Sequence, residues 1–120
     1  MISDDIFALA KSLGEVGAAD EPRLQTMCAA AEREFTGRLR PGVSPDDCGE
    51  AYRLGCACLA VAFLSGAQAV IGEEGFTAGS LTIRNRATLT ERAEVMRAHA
   101  QRIMGPYLRD DRFAFTGVRG

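Results

Sequence analysis

The residues that could do chemistry in this chain are few and scattered. His99 is the single histidine, so it is the one imidazole offered for acid–base work or metal ligation. An activated nucleophile needs a base held beside it. His99 stands one position before an apolar helical face at Ala100 and reads as a surface or half-buried helix residue. The four cysteines are Cys28, Cys48, Cys56 and Cys58, all in segments that read as helix. Cys56 and Cys58 are rotated by about 200° around a helix axis, so they cannot jointly clamp a metal or easily close a disulfide. They read as small buried hydrophobes of a reducing compartment. No catalytic residue, metal ligand or cofactor is expected, and the chain is not expected to be an enzyme.

Two acidic pairs, Asp46-Asp47 and Glu73-Glu74, could suggest paired-carboxylate chemistry. Neighbouring helical carboxylates point about 100° apart, however, and the second pair falls in a turn. Neither sits in the 12-residue oxygen-ligand frame of a calcium loop. The glycine-rich stretch from Gly72 to Ser80 lacks the Gly-Lys-Ser/Thr end of a phosphate cradle and carries two acids where phosphate would lie. Arg84, Arg86, Arg92, Arg97 and Arg102 form a basic series, but Glu91 and Glu94 are interspersed and no recognition-helix motif is evident.

The elements that would position these residues are helical. Asp4 is placed as the cap of a first helix to Leu13, with Ile6, Phe7, Leu9, Ala10 and Leu13 on one side, broken at Gly14 and Gly17. Asp20 is the expected cap of a second, with Pro22 in its first turn and Leu24, Met27, Cys28, Ala31, Phe35 and Leu39 at helical spacing. Pro41 to Pro45 is a turn. Ser44, Pro45 and Asp47 then start a long helix to Ile71, apolar nearly all round, which predicts a central element with neighbours on two faces. Tyr52, Leu59, Phe63 and Val70 continue one core face.

After Gly72 to Gly75 the alternation in Phe76 to Arg84 predicts a short strand, hairpin or extended loop, with Leu81 and Ile83 facing one way. Thr88 or Thr90 is the expected cap of a last helix, with Ala93, Met96, Ala100, Ile103 and Met104 buried. Gly105-Pro106 interrupts it. Residues 106–120 read as a flexible tail with Tyr107, Phe113 and Phe115 as anchors. The expectation is an all-α single domain over residues 1–120: about four helices around a long central one, with a protruding loop or β-hairpin before the last.

Composition agrees with a small globular protein. The 120 residues are 47% hydrophobic and 25% charged, far from the disordered class. Trp is absent and aromatics are 7%, so an alanine-rich core buries little area per residue and a partner could supply more. Against 16 acidic residues stand 14 basic ones, a net charge of −2, which gives no global field for holding a nucleic acid or anionic membrane. Lys11 is the only lysine, and arginine suits bidentate pairing at protein surfaces. The opening Met1-Ile2-Ser3-Asp4-Asp5 does not look like a signal peptide. The apolar run Leu54–Ile71 reads as a buried helix rather than a membrane span.

Four segments carry a family resemblance. They are the short acidic-start helix, the Leu24–Phe35 helix with Ala29-Ala30-Ala31-Glu32, the long apolar helix after Pro45, and Phe76-Thr77-Ala78-Gly79-Ser80-Leu81-Thr82-Ile83. In these the chain resembles the head-tail connector, or adaptor, proteins of tailed bacteriophages and prophages. The last stretch is similar to that family's aromatic-containing, Gly-centred extended segment.

The resemblance implies a small helix bundle that binds the portal protein and other neck or tail-completion proteins. It implies assembly with neighbouring copies into a ring, commonly a dodecamer, through which DNA passes without specific binding. It further implies the host cytoplasm and then the virion neck as locations, or the cytoplasm alone for a prophage product, with no membrane. Phe76, Gly79, Leu81, Thr82, Ile83 and Arg84 would form the partner-binding loop. Two other classes compete: a small DNA-binding accessory protein using Arg84 and Arg86, and a ligand-binding or enzymatic helical bundle using His99 with Asp and Cys residues.

Overall fold

The computed structural model describes residues 2–74 and 80–109, with side chains over 4–69 and 88–109. Its helices are α1 (Ile2–Gly14), α2 (Glu21–Arg38), α3 (Pro45–Cys48), α4 (Glu50–Glu74) and α5 (Ser80–Met104), with 3-10 turns at Ala18–Asp20 and Gly105–Tyr107. The described residues are all-helical apart from one isolated antiparallel bridge, Leu39 with Leu108. None of these helices is long and apolar enough to cross a membrane, among the described residues.

α4 is the central element. It packs against α1, α2 and α5, and its residues from Cys56 to Ala62 are buried without interruption. A helix surrounded this way needs no polar face. Phe35, Leu24, Ile6, Leu59 and Met104 are the large side chains sealed around it. Of the expected core, Phe35, Tyr52 and Leu59 are buried, Phe63 is half-buried, and the side chain of Val70 lies outside those described.

The helix boundaries differ from the sequence expectation in two ways, the split of the long helix and the start of α1. The long helix after Ser44 is two: α3 closes after one turn at Gly49, whose φ of 61 interrupts the helical backbone before α4. At the start of α3, Ser44 and Asp47 form a reciprocal capping box, with Ser44 N donating to Asp47 Oδ2 at 2.9 Å. α1 begins at Ile2, which puts Asp4 within its first turn rather than at its cap. Asp20 stands at the N-cap of α2 without a capping hydrogen bond; its Oδ2 instead accepts from Gln68 Nε2 of α4 at 3.0 Å.

The largest correction concerns the segment before the last helix. α5 starts at Ser80, so Leu81, Thr82, Ile83 and Arg84 are helical, not a strand, and Thr88 and Thr90 are interior to the helix. The physical reason is backbone satisfaction: an unpaired strand leaves its donors and acceptors open, whereas a helix satisfies them internally. The remainder of the expected loop, Phe76 to Gly79, lies outside the described residues.

The chain following α5 is also more fixed, as far as it is described, than a tail reading implies. Arg40 N donates to Tyr107 O at 3.0 Å and Arg109 N to Arg38 O at 2.8 Å, clasping residues 107–109 to the end of α2. Leu108 is buried under this clasp and Tyr107 is half-buried. Phe113 and Phe115 lie outside the described residues.

Candidate functional site

The thiols come from three helices. Cys28 belongs to α2, Cys48 to α3, and Cys56 and Cys58 to α4; all four are free and buried. Burial pushes the Cys56 thiol up to about 12, with Glu32, Cys28 and Cys48 adding to the effect and a hydrogen bond from the Tyr52 hydroxyl opposing it. Cys28 is pushed up to about 11, first by burial and then by Glu32. Cys48 and Cys58 are raised by burial too, Cys48 also by Asp47. A thiol held protonated is a poor nucleophile and a poor metal ligand. Tyr52, pushed up to about 12 by burial, ties α4 to α2 through its hydroxyl, 3.2 Å from Thr36 Oγ1.

His99 is exposed on α5. Its Nδ1 lies 3.3 Å from Arg102 Nη1, one turn along the same helix, so that nitrogen accepts from the guanidinium. Among the described residues no group of three or more His, Cys, Asp or Glu could hold a metal ion. Two further arginines of the basic series serve packing. Arg92 Nη1 donates to Gly14 O at the end of α1 at 3.2 Å, where a cation meets the negative end of the helix dipole. The Arg97 guanidinium stands 5.5 Å from the centre of the Phe63 ring.

Two surface features combine residues that the sequence kept apart. The first is an open groove of about 560 Å³, lined by Asp5, Ala8, Leu9 and Ser12 of α1 and Glu50 and Arg53 of α4. Arg53 sits between two carboxylates: its Nε is 3.3 Å from Asp5 Oδ2, and its Nη1 is 3.3 Å from Glu50 Oε2. That Nε is buried and makes no hydrogen bond, so its contact with Asp5 is ionic without good donor geometry. Glu50 itself is 87% exposed. Pairing Glu50 and Arg53 with Asp5 requires the packing of α1 on α4.

The second feature is the clasp at the end of α2. Arg40 Nε donates to Leu108 O at 3.1 Å and Arg109 Nη2 to Gly37 O at 2.6 Å. Both arginines are exposed, and the carbonyls they donate to carry no formal charge. Nothing in the sequence pattern signalled it, because residues 107–109 reach α2 only through the fold. The expected loop residues Phe76 and Gly79 lie outside the described residues; Leu81, Thr82, Ile83 and Arg84 occupy the opening turns of α5.

No protein-family model, curated protein or solved structure matches the chain.

Proposed function

We propose that this chain is a structural subunit of the head-tail connector of a tailed phage or prophage. It binds the portal ring and its own neighbouring copies, and it carries out no chemical reaction. The observation that carries the reading is the pairing of α4 with α5. Both are 25 residues long, about 37 Å each, and the resembling segment from Phe76 to Ile83 spans their connection and the start of α5. α4 also packs against α1 and α2, and on this reading the partner is met at the start of α5. The arginine-rich surface supports the same reading, since guanidinium groups suit protein interfaces.

The partner-binding residues on this reading are Phe76, Gly79, Leu81, Thr82, Ile83 and Arg84. Because Leu81 to Arg84 are helical, docking on this reading uses the start of α5 rather than strand addition. A deletion of residues 76–79 tests it: portal binding is lost while the helical circular dichroism and thermal midpoint stay close to those of the intact chain. Retained portal binding would contradict the assignment.

A further inference from the structure

We propose that the acidic groove between α1 and α4 receives the arginine corner at the end of α2 from a second copy of this chain. The inference rests on the assembly reading above and names the surfaces that would make it. Two observations carry it.

The groove has the chemistry of an arginine site. Its lining offers Ala8 and Leu9 to an aliphatic stem, and Asp5 and Glu50 to a guanidinium head. Among the described residues those two carboxylates share one cation, Arg53, so negative charge remains, and Glu50 is 87% exposed. The same chain presents the complement in the exposed pair Arg40 and Arg109, whose backbone clasp fixes them at one corner.

The placement of the two surfaces fits a head-to-tail contact. Tyr52 and Arg53 are consecutive on α4, so they point about 100° apart. Tyr52 reaches Thr36 near the arginine corner, and Arg53 reaches Asp5 in the groove. Groove and corner therefore lie on different flanks of the central helix. A copy that inserts its corner into a neighbour leaves its own groove free for the next. Such a heterologous contact propagates, and it forms a ring when the rotation closes.

The test is sedimentation of the full chain over a concentration series at low and high salt. Weak self-association that declines with salt is expected, because partly exposed charge pairs are screened. Glu50→Arg and Arg109→Glu, each on an exposed residue, should each weaken association about tenfold. The double variant Glu50→Arg with Arg109→Glu should recover most of that loss. Circular dichroism of each variant confirms the fold. A chain that stays monomeric throughout, association that ignores the reversals, or a double variant no better than the singles would overturn the proposal. Portal binding by the same variants separates this from the connector reading: monomers that still load onto a portal would sink the groove contact and leave the connector intact.

Discussion

A β-carbon added at Gly55 of α4 would stand 2.5 Å from Met104 Cγ of α5, closer than two carbon atoms can approach. Gly55 is thus a point of close approach between the two longest helices, with Met104 fully buried above it. Gly55→Ala gains helix propensity of about 1 kcal/mol but overpacks the contact at a cost of about 1–3 kcal/mol. Net destabilisation of about 1 kcal/mol is expected by urea titration. Gly66→Ala, on the same helix, meets nothing within 4 Å among the described residues and should stabilise by about 0.5–1 kcal/mol. Equal effects at the two positions would contradict the close approach.

The end of α1 holds a second prediction. Glu15 has φ 50, the left-handed conformation that L side chains resist. Val16 N donates to Lys11 O at 3.0 Å and Glu15 N to Ser12 O at 3.3 Å, the two bonds of a Schellman end in which glycine usually fills this position. Glu15→Gly should raise stability by about 1 kcal/mol. No gain in thermal midpoint would argue that Glu15 makes a compensating contact.

Core placement is testable at two phenylalanines. Phe35 is 0% exposed, and Phe35→Ala should cost about 3–5 kcal/mol. Phe63 is half-buried beneath Arg97, so Phe63→Ala should cost clearly less, about 1–2 kcal/mol. The reverse order would place the core on the wrong face of α4.

The buried thiols fix a pH dependence. Cys28 and Cys56 rise from the ordinary value of 9.0 to about 11 and about 12 in the folded chain. The folded state therefore holds these protons more tightly than the unfolded one. Their contribution to stability is complete below pH 9 and is lost as pH climbs from there toward 12. Thermal unfolding should show a midpoint that falls above pH 9, and a thiol reagent at pH 8 should label the native chain only as fast as it opens. Rapid labelling of native Cys56 would contradict its burial.

Periodicity and punctuation made much of this fold readable. The apolar spacing of Leu24, Cys28, Ala31 and Phe35 identified the inner face of α2, and Ser44-Pro45 with Asp47 marked a helix start that is a capping box. An apolar circumference identified α4 as central, since only a surrounded helix can do without a polar face. Local pattern failed where tertiary geometry decides. Gly14 ends α1 as its type suggests, but the left-handed residue there is Glu15, and the closeness of Gly14 to Val61, 3.3 Å from an added β-carbon to Cγ2, is set by the fold. Leu81 and Ile83 alternate like a strand, but α5 runs from Ser80 and provides its own backbone partners. The groove with Asp5, Glu50 and Arg53 joins residues far apart in sequence, so no spacing rule could have found it.

The proposed connector role requires the chain to load onto a portal ring as a structural subunit. Mixing the full chain with the portal protein encoded by the same phage or prophage, then weighing the complex by native mass spectrometry, tests it most directly. The account predicts a discrete complex in which a fixed number of copies matches the symmetry of the portal ring. A portal that remains bare at saturating chain concentration, or that takes up copies without a fixed ratio, would contradict it.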